Sequence, residues 1–401
     1  MGMKLQLKMN FSIQLPKKII FGDGALQEVP ELVKAFNPGS VLLVTDSVIR
    51  KIGVTEKISG PLQSAGVKIE VYDQVEPEPS VEAAEAVVNS ARRSRYDLVI
   101  GLGGGSSMDM AKLASISITN PNPIVDFVGV GKVPKPGVPK ILIPTTAGTG
   151  AEITMNAIIS NRVEHLKMGI VSPHIIADAA VIDPLLTLTM PPSVTASTGL
   201  DALTHAVESL MSIELNPFCE PLALEAVKLI FRSLPKAYRD GGNLEARREM
   251  SLAAMFAGIS LAISGVCAGH AAAYSFTVTV PHGVGCALAL PYVMEMNAPA
   301  CASRLVSVAE AAGVKVEGAS QMENIYNAVS AVRRLMENVK SPLSLKDIGI
   351  KEADLDHMAE KMLTVKRLLV RNPKTLTEED AKILMRRMYV GEQLPLSEYK
   401  I

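Results

Sequence analysis

The chain has 401 residues, with 40 Lys plus Arg against 41 Asp plus Glu, a formal net charge of -1, 48% hydrophobic residues and no Trp. That length exceeds one compact core and predicts two domains, at roughly 100–200 residues each. Balanced charge excludes the electrostatic excess that nucleic acid or an anionic membrane surface selects, so the expected partner is a small molecule.

The first residues, MGMKLQLKMNF, mix lysines with single apolar residues and form no continuous apolar core of a signal peptide. Gln6 also stands where a myristoylation motif needs Ser or Thr. Cys219, Cys267, Cys286 and Cys301 show no C-x-x-C spacing, so neither a disulfide framework nor a thiolate zinc site is indicated. Buried thiols in a reducing cytoplasm are expected.

FSIQLPKKIIFGDGALQEVP reads as one or two strands and a turn at GDG leading into a helix. From residue 40 to about residue 145, the runs SVLLVTD, KIEVYDQV, YDLVIGLGGG and PKILIPTT alternate with amphipathic stretches such as SVEAAEAVVNSARRS. The rhythm predicts a parallel sheet whose ligand residues lie at the carboxyl ends of its strands.

VIGLGGGSSMDMAK, residues 99–112, runs from a strand through Gly101, Gly103, Gly104 and Gly105 into a helix starting near Ser106. Glycines let backbone amides approach a phosphate, and a helix N-terminus adds positive potential. The spacing is not G-x-G-x-x-G, so a phosphate cradle and a plain tight turn both stay open. IPTTAGTGAE, residues 143–152, presents Thr145, Thr146 and Thr149 in a second such loop, suited to pyrophosphate or ribose or else an ordinary turn. Asp46, closing VLLVTD, fits either an acceptor for an adenosine ribose, favouring NAD over NADP, or a helix N-cap.

After AAVIDP, near residue 184, long helical patterns such as FCEPLALEAVKLIFRSLPKAYRDG and EEDAKILMRRMYVG take over. The expected domains are therefore an α/β domain over 1–184 and a helical domain over 185–401. LAAMFAGISLAISGVCAG is broken by Gly and Ser and reads as a buried helix, not a membrane span.

Within the helical half, STGLDALTHAVESL sets Asp201 and His205 four positions apart, on one helix face. His270 and His282 follow in small-residue, apolar settings. One carboxylate with three imidazoles is a ligand set for Fe²⁺ or Zn²⁺, against the alternative of hydrogen-bonded core histidines. His165, His174 and His357 carry no comparable spacing and read as structural. Tyr274, one turn after His270, is either a proton donor near the metal or a packed, hydrogen-bonded tyrosine. Ala268, Phe276 and Val278 hint at short alkyl substrates, with core packing as the other explanation.

GGGSSMDMAK, IPTTAGTGAE, TASTGLDALTHAVE and PHGVGCALALP, in that order, resemble the signature segments of the iron-containing, or group III, alcohol dehydrogenases. The likeness runs from KIIFGDGAL to about LPYVMEMN. It implies the dehydroquinate synthase-like architecture: an N-terminal Rossmann-like parallel-sheet domain for the dinucleotide, a C-terminal helical domain for the metal, and substrate in the cleft between them. The implied metal ligands are Asp201, His205, His270 and His282. The implied cofactor residues are Gly104, Gly105, Ser106, Asp109 on the nicotinamide side, Thr145, Thr146, Thr149, Asn156 and Lys167, together with Asp46. Three departures accompany the likeness. Tyr274 stands where some members carry a second histidine, the segment between His270 and His282 is shorter than in many relatives, and Glu78-Pro79 replaces an Asn-Pro pair.

The resemblance implies an NAD-dependent, metal-assisted alcohol dehydrogenase or aldehyde reductase, in a homodimer or larger homo-oligomer. Three alternatives are a glycerol or polyol phosphate dehydrogenase, a metal-independent reductase of the maleylacetate type, and a noncatalytic NAD or metal sensor. The first needs extra cationic residues around the metal, and the sequence near His270 and His282 shows none.

Overall fold

The computed structural model describes residues 6–163, 166–276 and 280–399, so His165 and Val278 lie outside the described residues. Nine strands occur among those residues: β1 (Lys18–Phe21), β2 (Ser40–Val44), β3 (Lys68–Tyr72), β4 (Leu98–Gly103), β5 (Gly129–Val130), β6 (Lys140–Pro144), β7 (Asn156–Asn161), β8 (Leu166–Val171) and β9 (Ala179–Ile182). Six of them form one sheet in the order β1-β9-β6-β4-β2-β3, every pairing parallel. Each of the four runs expected between residues 40 and 145 is a strand of this sheet.

Side chains alternate along these strands, and both faces are covered. Leu42, Val44, Val99 and Leu142 pack with Met108, Ala111 and Val87 on one side. Val41, Leu43, Leu98, Ile100 and Ile141 pack with Ile58 and Leu62 on the other. Burial on two faces is why these strands read as continuous apolar runs, as parallel sheets require. The helix Val81–Arg93 starts where the Ser80 side chain accepts the Ala83 N–H. The GDG turn has Gly22 and Gly24 at positive φ, followed by a short 3₁₀ turn and the helix Val29–Lys34.

A second, three-stranded sheet, β5-β8-β7, was not among the expected elements. β7 and β8 form an antiparallel hairpin, Asn156 opposite Val171, and β5 joins β8 in parallel. The residues of these strands are largely half-buried, so their sequences lack the strong apolar runs of the main sheet.

The chain divides into two compact units: one is Gln14–Met190, and the other joins Pro191–Ile401 to the residues before Gln14. The division falls just before Pro191 and Pro192, where the second proline takes a first-turn position in the helix Pro192–Met211. The N-terminal residues belong with the helical unit because the Lys8 N–H donates to the Leu215 carbonyl (2.7 Å), Arg304 donates to the Gln6 carbonyl (3.0 Å), and Lys8 pairs with Glu214. Among the described residues the helical unit contains no strand. Its helices Pro192–Met211, Cys219–Arg239, Leu244–Ser264 and His282–Ala311 form most of its core. No single helix among the described residues is long and apolar enough to cross a membrane.

Candidate active site: two glycine-threonine loops and a carboxylate-imidazole cluster

Register sets the first candidate site, in the α/β unit. Gly103 at the end of β4 pairs with Pro144 at the end of β6, so the two loops leave the sheet side by side. The Thr145 N–H donates to the Gly103 carbonyl (2.9 Å). Gly103 has φ +144, and a side chain there would meet Ser107 at 2.6 Å. A Cβ on Gly105 would stand 2.9 Å from Thr149 Cγ2, and one on Gly104 3.6 Å from Thr146 Cγ2. The structure thus brings Gly104, Gly105, Thr146 and Thr149 into one surface.

Gly104 is the N-cap of the helix Gly105–Thr119 and offers no side chain to its first amides. Uncapped amides at a helix start are suited to an anionic phosphate. Ser106 lies half-buried in that first turn. A cradle that a methyl group would fill, lined with amides and threonines, fits a dinucleotide pyrophosphate.

Asp46 uses both oxygens of its carboxylate. Oδ1 accepts the N–H groups of Val48 (2.9 Å) and Ile49 (3.0 Å), capping the helix Ser47–Lys51. Oδ2 accepts the Ser107 hydroxyl (3.3 Å), which places negative charge at the glycine loop.

Asp109 and Lys112 form a buried network with the chain at Asn156 and Ile158. Lys112, fully buried, donates to Asp109 Oδ1 (3.0 Å) and to the backbone carbonyl of Asn156 (2.5 Å), while Asp109 Oδ2 accepts the Ile158 N–H (3.0 Å). Burial pushes the Asp109 carboxyl up, with Lys112 opposing. Lys167 pairs with Glu78 (2.7 Å), and Glu78 sits at φ +50, a left-handed conformation that costs a non-glycine residue energy. Glu152, in the second loop, is pushed up to about 7 by burial, offset in part by Lys112.

A second candidate site lies in the helical unit. Asp201 and His205 occupy one face of Pro192–Met211, His270 sits in the short helix Ala268–Tyr274, and His282 begins His282–Ala311. A Cβ on Gly283 would lie 2.1 Å from the Ser197 carbonyl oxygen, so glycine there lets two helix backbones meet and carries His282 to Asp201. The Nε2 atoms of His205, His270 and His282 lie 3.7, 3.8 and 3.9 Å from Asp201 Oδ1. The His205 and His270 rings stack with centroids 4.8 Å apart.

Those separations are too long for hydrogen bonds. They come within a few tenths of an ångström of donors sharing one ion, since two ligands at roughly 2.0–2.2 Å from a tetrahedral metal stand roughly 3.3–3.6 Å apart. Asp201 Oδ1 and His270 Nε2 are buried with no hydrogen-bond partner among the described residues. Such atoms are costly unless something else binds them, so the donor set fits a divalent metal. Side-chain exposure is 3% for Asp201 and His270 and 24% for His282, so the cluster opens on the His282 side.

Glu208 supplies a support that sequence reading missed. Its Oε1 accepts the Gly269 N–H (2.6 Å), and its Oε2 accepts the His270 N–H (3.1 Å) and Nδ1–H (2.5 Å). A protonated Nδ1 leaves the Nε2 lone pair facing Asp201. A Cβ on Gly269 would come 2.9 Å from Glu208 Oε1, so only glycine admits this contact. The signal was available: Glu208 stands two helical turns after Asp201 in an apolar stretch, and Lys112 one turn after Asp109. Tyr274 is buried, its ring centroid 5.7 Å from that of His282. Phe276 and Ala268 are core residues.

A parallel sheet with a phosphate-type loop pair, and a carboxylate-imidazole cluster in a second unit, are the parts of a metal-assisted dehydrogenase. Comparison with known proteins gives the family. The iron-containing alcohol dehydrogenase profile matches residues 16–184, and the profile of that family's C-terminal region matches residues 195–389. Long-chain-alcohol dehydrogenase 1 of Geobacillus thermodenitrificans is 37% identical over 92% of this chain and 94% of its own length. The structure of an alcohol dehydrogenase from Oenococcus oeni superposes with a TM-score of 0.91 at 35% identity, covering 95% of this chain and 100% of that one. Sulfoacetaldehyde reductase from Bifidobacterium kashiwanohense, solved with NAD+, superposes with a TM-score of 0.86 at 29% identity, over 96% and 100% of the two chains. The chain belongs to the iron-containing alcohol dehydrogenase family. It is an oxidoreductase of the alcohol dehydrogenase type, with NAD and a divalent metal as its cofactors.

Proposed function

We propose that Asp201, His205, His270 and His282 hold the metal, and that the Gly104-Gly105-Ser106 turn with Thr145, Thr146 and Thr149 holds the pyrophosphate of NAD. The observation that carries this reading is the buried, unpartnered pair Asp201 Oδ1 and His270 Nε2, facing two further imidazoles. When bound, the metal supplies Lewis acidity toward an alcohol or carbonyl oxygen, and NAD supplies the hydride acceptor or, reduced, the donor.

The chain's own residues do the rest. Asp201 contributes the one anionic donor, Glu208 fixes the tautomer of His270, and the partly exposed His282 marks the side from which substrate arrives. Asp46 receives the adenosine ribose and repels a 2′-phosphate, which favours NAD over NADP. Asp109, Asn156 and Lys167 serve on the nicotinamide side, with Lys112 and Glu78 setting the local charge. Tyr274 takes the position from which a proton is handed to or from the reacting oxygen. The substrate is a small alcohol or its aldehyde; four buried cysteines free of disulfides fit a cytoplasmic enzyme, and a homo-oligomer is the assembly we expect from the family.

The test is Asp201→Ala, with bound metal and NADH formation from short alcohols and diols measured on the same preparation. Metal and turnover should fall together. A metal-poor variant with full activity sinks the assignment and favours the metal-independent maleylacetate type of reductase.

A further inference from the structure

The short helix that carries His270, Ala268–Tyr274, is capped by side chains from other parts of the helical unit. Its own N-cap residue, Cys267, makes no side-chain hydrogen bond to it, and the opening amides of a helix have no acceptor inside it. Glu208 accepts the N–H groups of Gly269 and His270, and Asn372 Oδ1 accepts that of Ala268 (3.4 Å). From Ala271 onward the chain supplies its own acceptors, beginning with the Cys267 carbonyl (3.2 Å).

Asn372 is itself locked in place. It is buried, and its amide fills all four of its hydrogen-bonding positions: Oδ1 also accepts from Asn297 Nδ2 (2.8 Å), while Nδ2 donates to Asn297 Oδ1 (2.9 Å) and to the Lys374 carbonyl (2.7 Å). Asn297, fully buried, lies on the helix His282–Ala311, and its Nδ2 also reaches Met211 Sδ (3.9 Å) at the end of the helix Pro192–Met211. One residue before Asn372, the Arg371 carbonyl accepts the Ile213 N–H (3.0 Å) just beyond that same helix, and the Cys267 thiol (3.5 Å). Arg371, Asn372 and Asn297 thus join the three helices from which the candidate metal ligands come.

We propose that Asn372 is a positioning residue for the metal centre: locked by Asn297, it fixes the start of the helix Ala268–Tyr274 and so the aim of His270 Nε2. The proposal rests on the metal reading above. Glu208 orients the imidazole ring, whereas Asn372 sets the backbone from which that ring projects. Asn297 ties the same point to the helix that begins with His282.

Asn372→Ala in the full-length protein, stripped of metal and reloaded with Zn²⁺ or Co²⁺, tests this. Zinc affinity, measured by chelator competition well below the melting temperature of the metal-free variant, should fall about tenfold. The cobalt-loaded variant should show d–d bands displaced from those of the unsubstituted protein, because the donor geometry has changed. Asn297→Ala, which breaks the lock and leaves the cap in place, should weaken zinc binding about threefold, the worth of about one hydrogen bond, and it carries the test alone if Asn372→Ala does not fold. A folded variant that melts at a lower temperature but keeps its zinc affinity and cobalt bands overturns the proposal, makes Asn372 a packing residue only and leaves the metal centre standing. Failure of the unsubstituted protein to take up either ion overturns the metal reading, and this proposal with it.

Discussion

Glu208→Gln probes how the metal centre is built. The carboxylate receives three N–H groups: that of Gly269 at 2.6 Å and those of His270 N and Nδ1 at 3.1 and 2.5 Å. A glutamine has one oxygen in place of two. With that oxygen at the Oε2 position, its NH2 meets the Gly269 N–H, and a buried donor without an acceptor costs about 1–3 kcal/mol. With the amide reversed, the NH2 faces His270 Nδ1, the ring proton must move to Nε2, and the lone pair toward Asp201 is lost. Loss of such a supporting carboxylate weakens metal binding about 10- to 100-fold. That corresponds to about 1.4–2.7 kcal/mol. We expect chelator competition to show this drop in zinc affinity, or the melting of the metal-free variant to show the equivalent loss, with activity recovered at high metal. Unchanged metal affinity together with unchanged melting would refute the reasoning.

Glu152→Gln tests the buried carboxyl of the second loop. Because its folded pKa of about 7 stands above the ordinary 4.5, the stability it contributes is present below pH 4.5 and is lost as pH rises through 7. The variant should therefore gain on the unsubstituted protein by about 3 kcal/mol between acid and pH 9, read as a melting-temperature gap that widens with pH; a constant gap would count against the burial argument. Gly105→Ala puts a Cβ 2.9 Å from Thr149 Cγ2 and should weaken NAD binding about tenfold, with partial recovery when Thr149→Ala is added. Titration of NAD into the single and double variants by fluorescence measures both. Asp46→Asn keeps a good N-cap while removing the charge, so melting should change little. The preference for NAD over NADP should shrink at least about tenfold, because opposed like charges cost of order 1 kcal/mol or more; unaltered preference in steady-state kinetics would remove Asp46 from cofactor selection.

The main sheet was legible because two-faced burial writes itself as unbroken apolar runs, and the two glycine loops because backbone contact leaves no room for side chains. Asp201 and His205 were legible from a single helical turn. The β5-β8-β7 sheet was not, since its half-buried strands of mixed composition carry weak periodicity. The role of Glu208 was harder to read for a different reason: a charge in an apolar helix announces that something pairs with it, but its partners lie 61 and 62 residues away at Gly269 and His270.

The four candidate ligands span residues 201 to 282 and come from three separate helices. An ion gripped by all of them acts as a cross-link, closing a long loop of the folding chain and stabilising only the state in which the helices have already met. Loss of the ion therefore removes a tie as well as a reagent. A chelator should lower the melting temperature of the helical unit in step with free metal concentration, so that metal supply governs how long this enzyme lasts.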